Sequence, residues 1–245
     1  MIEIKTGMAL AAGLGTRMRP LTNDRPKALV EVNGKALLDW ALDRFEQAGV
    51  TRSIVNIHHF ADRMEDHIAR RNSSPPVTIS DERECVLETG GGVVKVLPLL
   101  GDDPVFISNI DAIWQDETPS ELDRLRAAWD GSKMDVLLLL APLEQTLGFD
   151  GAGDFFLEQN GQVAWRGGAA TAPFAYAGVQ IMKPAIMDGR KEERFSMIEV
   201  WKDLIPKGRV CGLPRKSFWM HVGDPEARNQ AEARLSPGVG DGVSD

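Results

Sequence analysis

Leu10-Ala-Ala-Gly-Leu-Gly-Thr-Arg-Met-Arg-Pro-Leu-Thr22, followed by Arg25-Pro-Lys-Ala-Leu29, is the stretch from which the rest of the chain can be read. It begins inside a short apolar run at residues 8–12, a first strand. Small residues directly after a strand let the backbone approach a ligand closely, and their N–H groups can form a concave anion site. Arg17, Arg19, Arg25 and Lys27 then place four cations within eleven residues, a phosphate-binding composition. The loop is not a Walker A sequence, because no Gly-Lys-Ser/Thr follows four residues after a glycine. It is a poor dinucleotide fingerprint too, since Met18 stands where the third glycine belongs.

Outward from this loop, strands and helices alternate over the first ~140 residues, which predicts an α/β, Rossmann-like fold with a mostly parallel mixed sheet flanked by helices. Leu37, Leu38, Ala41, Leu42, Phe45 and Ala48 recur at helical spacing and Gly49 follows as a cap, so 35–48 reads as a helix. Strands are expected at 53–57, 77–80, 105–110 and 136–141. Helices are expected at 61–71 and 120–129, with another over 93–100 that extends from the preceding glycines. The second half is richer in glycine. Strands at 155–157 and 162–165 joined by Asn160-Gly161 make a hairpin. A strand at 175–182 and helices at 195–205 and 225–235 complete one domain over 1–235. Residues 236–245 lack apolar mass and are expected to be disordered.

The 245 residues carry a formal net charge of −8, with 43% hydrophobic and 26% charged side chains, an ordinary globular composition. An acidic balance without a Lys/Arg block argues against nucleic acid as a partner. The longest apolar run, 136–143 counting Pro142, falls far short of the ~18–20 residues that cross a bilayer, so no membrane partner is expected. Glu3 and Lys5 interrupt the first apolar stretch, which does not suit a secretory signal and predicts a cytoplasmic location. Cys85 and Cys211 are too few for a disulfide framework and are expected to be reduced and structural.

The opening stretch, together with Leu87-Glu-Thr-Gly-Gly-Gly92, Ile107-Ser-Asn-Ile-Asp111 and Trp219-Met-His-Val-Gly-Asp-Pro-Glu226, resembles the sugar-phosphate nucleotidyltransferases, or nucleoside-diphosphate-sugar pyrophosphorylases, over about residues 7–235. Within that family it is most similar to the bacterial N-acetylmuramate-1-phosphate uridylyltransferases, with the mannose-1-phosphate guanylyltransferases as near relatives. The resemblance implies a nucleotide-diphospho-sugar transferase fold. It also implies a reaction in which a sugar 1-phosphate attacks the α-phosphorus of a nucleoside triphosphate and expels pyrophosphate. Such a displacement needs positioning and charge neutralisation more than a covalent nucleophile. Arg17, Lys27 and Asp111 match the family's catalytic positions: a guanidinium for the triphosphate, an ammonium for the reacting phosphate, and a carboxylate for Mg²⁺, with Mn²⁺ as the alternative. The resemblance further implies nucleotide contacts from Ala11, Ala12, Gly13, Gly15, Thr16, Asn109, Gly90 and Gly91, and sugar contacts from Gly153, Asp154, Tyr176 and Glu199.

The sequence departs from the family pattern in three places. A second metal-binding aspartate is usual where this chain has His221, which leaves three readings: a metal ligand, a hydrogen-bond donor to phosphate, or an inactive position. The Glu-Lys-Pro segment that holds the sugar in many relatives is absent near residues 161–166, and Ile110 replaces a glycine before Asp111. These departures keep a rival reading open, a non-catalytic nucleotide-binding homologue. A nicotinamide oxidoreductase is disfavoured by Met18 and the basic cluster. His58 and His59 read as a surface pair, and Trp219 as either a wall of the site or core. The expected partners are a nucleoside triphosphate and a sugar 1-phosphate, bound by a monomer or small homo-oligomer.

Overall fold

The sequence Thr-Gly-Met-Ala-Leu forms the first strand, β1 (Thr6–Leu10), buried along almost its whole length as an inner strand of a parallel sheet should be. In the computed structural model, which describes residues 2–236, the chain continues through a ribbon of β2 (Glu31–Val32) and β3 (Lys35–Ala36), then α1 (Leu37–Gln47), β4 (Arg52–Ile57), α2 (Ala61–Arg70) and β5 (Val77–Asp81). Next come α3 (Glu88–Lys95), α4 (Leu97–Leu100), β6 (Val105–Asn109), β7 (Ala112–Ile113), α5 (Glu121–Ala128), β8 (Val136–Pro142) and β9 (Thr146–Leu147). The second half adds β10 (Phe155–Leu157), β11 (Val163–Trp165), β12 (Phe174–Met182), α6 (Met197–Leu204), β13 (Val210–Pro214), β14 (Trp219–His221) and α7 (Pro225–Leu235). Of the tail expected to be disordered, residues 237–245 lie outside the described residues.

β5, β4, β1 and β6 lie side by side in that order, all parallel, and β12 runs antiparallel against β6. β8 pairs antiparallel with β12, β13 pairs parallel with β8, and the β10–β11 hairpin joins β12 through Phe155 opposite Phe174. This is the mixed, mostly parallel α/β sheet that the alternation of elements predicts. The winding direction reverses at β1, which has β4 on one side and β6 on the other. A crevice therefore opens beyond the carboxyl ends of β1 and β6, where Leu10 and Asn109 are register partners.

Close packing of α1 onto β1 depends on Gly7, because a Cβ there would come within 2.8 Å of the Phe45 ring. Leu37, Leu38, Ala41, Leu42 and Phe45 are buried beneath that helix. β1 begins at Thr6 and ends at Leu10, so Ala11 and Ala12, expected in the strand, belong to the loop. The helix expected over 93–100 is two helices, because Pro98 lacks the N–H needed to continue α3 and instead sits in the first turn of α4. α6 starts two residues later than expected, behind Ser196, whose hydroxyl caps the Ile198 N–H. β13 and β14 escape sequence reading: Val-Cys-Gly-Leu-Pro has no strand alternation, and its pairing with β8 overrides the weak propensity. Both cysteines are free; Cys211 is buried, but Cys85 is exposed rather than part of the core.

Asp135, just before β8, accepts hydrogen bonds from Arg209 Nε and Nη2 and from Lys183 Nζ, each at 2.8 Å, tying the ends of β12 and β13 to the start of β8. The Arg209 guanidinium, with Lys183 and against partial desolvation, holds its carboxyl down at about 2. An unfolded aspartate titrates near ~3.9, so the folded value is depressed: the contribution is full above about pH 4 and is lost as pH falls toward 2. Solvent access reduces it to about 1 kcal/mol. Asp135→Asn is expected to lower the thermal midpoint at pH 7 and to melt with the parent near pH ~2.5. A gap of constant size across that range would contradict the assignment.

Candidate active site

The loop leaving β1 turns back across the strand ends. Gly15 adopts a left-handed φ of 62° and opens a short 3-10 turn over Thr16–Met18. A Cβ at Gly15 would stand 2.9 Å from that of Lys27, so this glycine makes room for the second segment of the motif. Thr22 Oγ1 closes the loop by donating to the Gly15 carbonyl at 2.8 Å. Lys27 begins another 3-10 turn and points its side chain inward, where Nζ lies 2.7 Å from Asp111 Oδ2.

Asp111 follows β6, and β14 is laid beside it by pairing with β7, His221 opposite Ala112. The Val222 N–H donates to the Asp111 carbonyl at 2.8 Å. His221 Nε2 stands 3.5 Å from Asp111 Oδ2, and its Nδ1 is 3.2 Å from the Gly148 carbonyl. Burial works against the Asp111 carboxylate, but the Lys27 ammonium and the His221 imidazole outweigh that cost and hold its carboxyl well below the ordinary range. Among the described residues no three His, Cys, Asp or Glu side chains converge on one point. A divalent cation here would have Asp111 and His221 as protein ligands, with substrate phosphates and water completing its shell.

A cavity of about 470 Å³ opens over this centre. Ala11, Ala12, Gly13, Gly15, Thr16, Arg17, Lys27 and Asn109, eight of the residues expected at the nucleotide, line it together with Asp111. Gly90 and Gly91 do not. Both their amides donate to the Phe195 carbonyl, at 2.9 and 3.2 Å, and a Cβ at either would strike the Phe195 ring or the Glu193 carbonyl. Close approach of residues 193–195, rather than of a ligand, accounts for those glycines. The four-cation stretch also divides. Arg17 lines the cavity and has no ion pair among the described residues, Arg25 pairs with Asp24, and neither Arg25 nor Arg19 reaches the cavity.

A smaller pocket of about 200 Å³ adjoins the first and shares Leu10, Thr89, Asn109 and Ser196 with it. Phe155, Trp165 and Trp201 wall it together with Asp154 and Tyr176, two of the expected sugar contacts. Burial, aided by the Asp111 charge, pushes the Tyr176 hydroxyl well above its ordinary range. The other two expected contacts lie elsewhere: Gly153 is packed at φ 80° against the Ala172 carbonyl, and Glu199 sits on the exposed face of α6. Trp219 is core, 2% exposed, and His58 Nδ1 is engaged with the Glu82 carbonyl.

Sequence reading missed Asn56, Glu88 and Arg194, which also line the larger cavity. Glu88 holds a left-handed φ of 60°, costly for a residue with a Cβ, and its carboxylate receives Arg194 Nε at 2.8 Å. Asn56 could have been noticed as an amide in the middle of the apolar run Ser-Ile-Val-Asn-Ile. Its Oδ1 accepts the Ala11 N–H at 2.6 Å, its Nδ2 donates to Glu82 Oε1 at 2.8 Å, and Glu82 Oε2 accepts the Leu87 N–H at 3.0 Å. Through these bonds the first loop is pinned to the start of α3. Asn56→Leu strands a buried amide and a buried carboxylate, and it is expected to cost about 2–4 kcal/mol in urea unfolding. A loss below ~0.5 kcal/mol would mean that the link carries no load.

Comparison with known proteins agrees with this geometry. The family model described as MobA-like NTP transferase domain matches residues 7–146. The chain is 51% identical to the N-acetylmuramate alpha-1-phosphate uridylyltransferase of Caulobacter vibrioides, over 95% of this chain and 97% of that protein. It is 29% identical to the protein of the same name from Neisseria meningitidis, over 92% and 96%. In fold it is similar to a UTP-bound UGPase from Acinetobacter baumannii, with a TM-score of 0.75 or better, namely 0.79, at 17% identity over 97% of this chain and 96% of that one. A glycine-rich loop at a strand switch point, a family model over more than half of the chain and a relative matched nearly end to end lead to one conclusion: the chain belongs to the MobA-like NTP transferases and, among them, to the sugar-1-phosphate nucleotidyltransferases.

Proposed function

We propose that this protein transfers a uridylyl group from UTP to N-acetylmuramate 1-phosphate, forming UDP-N-acetylmuramate and pyrophosphate in the cytoplasm as a monomer or small homo-oligomer. The observation that carries this reading is the convergence of Arg17, Lys27 and Asp111 on one cavity that runs on into an aromatic-walled pocket, with His221 beside Asp111. Kinship with the uridylyltransferases named above supports the choice of base and sugar.

The residues suit an in-line displacement. The amides of the 11–16 loop and the Arg17 guanidinium bind the triphosphate and hold the leaving pyrophosphate, since a planar guanidinium can donate two hydrogen bonds to one phosphate. Lys27 keeps a compact positive charge beside the reacting phosphate, where charge develops in the transition state. The sugar ring lies against the aromatic faces of the smaller pocket, with Asp154 and Tyr176 fixing its orientation. Asp111, with His221 beside it, would hold a divalent cation, Mg²⁺ or Mn²⁺, which would supply Lewis-acid neutralisation of phosphate charge.

Pyrophosphate release measured over a matrix of nucleoside triphosphates and sugar 1-phosphates is expected to be greatest for UTP with N-acetylmuramate 1-phosphate. A higher kcat/KM for GTP with mannose 1-phosphate would overturn the assignment of base and sugar, and tight nucleotide binding without turnover would overturn the enzyme reading. Arg17 is exposed, so Arg17→Ala leaves the fold intact. It is expected to raise the KM for UTP about 10- to 100-fold, the value of one or two charge-assisted hydrogen bonds, with little change in the KM for the sugar phosphate.

A further inference from the structure

Arg194 takes no part in the displacement, yet it lines the larger cavity, and so does Glu88, whose carboxylate it meets. Hydrogen bonds fix the segment that carries it: the Phe195 N–H donates to the Leu87 carbonyl at 3.2 Å, the Gly90 N–H to the Phe195 carbonyl at 2.9 Å, and the Met197 N–H to Thr89 Oγ1 at 2.8 Å. Nε and Nη2 of Arg194 both rest on the same Glu88 oxygen, Oε1, at 2.8 and 2.7 Å. That contact uses one edge of the guanidinium. The other edge, Nη1 with the second N–H of Nη2, has no acceptor among the described residues, and two parallel N–H bonds match the geometry of a carboxylate. Stability does not account for the pair, because an ion pair between exposed side chains gives back less than a left-handed backbone costs Glu88.

The neighbouring pocket sets the need for that edge. Among the described residues no Lys or Arg lines the smaller pocket, and its one charged wall residue is Asp154. A sugar that carries a carboxylate meets repulsion there and must find its counter-charge outside. Of the three cations lining the larger cavity, Arg17 and Lys27 are given to phosphates, which leaves Arg194. Ser196, two residues further on, lines both cavities, so Arg194 flanks the passage between them. We propose that the free edge of Arg194 binds a carboxylate carried on the sugar, so that this site selects acidic sugar 1-phosphates over their neutral counterparts, and that Glu88 is the positioning residue that holds the guanidinium for it. The proposal rests on the nucleotidyl-transfer reading, which puts the sugar in the smaller pocket, but sugar binding can be read apart from turnover.

N-acetylglucosamine 1-phosphate lacks only the lactyl ether of N-acetylmuramate 1-phosphate, and the lactyl carboxamide analogue lacks only the charge. In the full chain at saturating UTP, Arg194→Gln is expected to lower kcat/KM for the acidic sugar about 10- to 100-fold, the value of a charge-assisted two-bond contact. The same variant should change kcat/KM for the neutral sugar and the carboxamide, and KM for UTP, by less than about threefold. Arg194→Lys keeps the charge without the fork and should recover only part of the loss. Glu88→Gln should raise KM for the acidic sugar about three- to tenfold and leave kcat in place, because the guanidinium is no longer held. The Arg194 side chain is 66% exposed, so its replacement does not threaten the fold. Equal losses for the acidic and neutral sugars, or no loss for the acidic one, would overturn the proposal and leave the reaction standing. Calorimetric titration with N-acetylmuramate 1-phosphate, in the presence of a non-hydrolysable UTP analogue, supplies the second arm. A preference over N-acetylglucosamine 1-phosphate that vanishes in Arg194→Gln, in a protein that releases no pyrophosphate from any substrate pair, would support the carboxylate site and sink the proposed reaction.

Discussion

Asp111 is the point to which three distant parts of the chain are tied. Its Oδ2 holds Lys27 from the first loop, its carbonyl takes the Val222 N–H from the C-terminal region, and His221 stands beside the same Oδ2. A mostly buried carboxylate without a counter-charge would be expensive, and the usual escape would be protonation. Lys27 prevents that, so the anion persists in the free protein and remains available to a cation or a phosphate-bound metal. Removing either partner would leave the other charge stranded, which is why this contact orders the motif loop as well as the chemistry.

Geometry around that carboxylate depends on elements of two or three residues. β7, β14 and β9 form a small sheet apart from the main one, and without it residue 221 would have no reason to lie near residue 111. Gly148 and Gly223 make the arrangement possible: a Cβ at the first would meet the His221 carbonyl at 2.3 Å, and at the second the imidazole itself. The large parallel sheet supplies the strand ends, and the small ribbon brings His221 to them.

This division explains what the sequence could tell. The glycine-rich loop, the paired cations Arg17 and Lys27, and Asp111 at a strand end are local patterns whose spacing carries their meaning, and each lines the cavity. Alternation of strands and helices likewise announced β1, β4, β5, β6 and β8, because buried strands and amphipathic helices write their periods into contiguous residues. Asn56, Glu88 and Arg194 could not be read in the same way. Their place at the site comes from contacts across 45 and 106 residues of chain, Asn56 with Ala11 and Arg194 with Glu88. Gly90 and Gly91 show the opposite error, since a glycine that admits neighbouring backbone has the same sequence signature as one that admits a ligand.

The net charge of −8 looks unhelpful for a protein that must hold two phosphorylated substrates, yet the cavity resolves the difficulty by pairing. Of the three cations lining it, Lys27 rests on Asp111 and Arg194 on Glu88, while Arg17 has no carboxylate partner among the described residues. The paired groups are thereby held in place at the cavity wall rather than dispersed in solvent, and less side-chain entropy is lost when a phosphate displaces a carboxylate. An unpaired cluster of the same size would attract anions more strongly from a distance but without selection among them. Cations sheltered on carboxylates favour a ligand whose charge is dense enough, and placed closely enough, to compete for them, which a triphosphate is and an isolated monoanion is not.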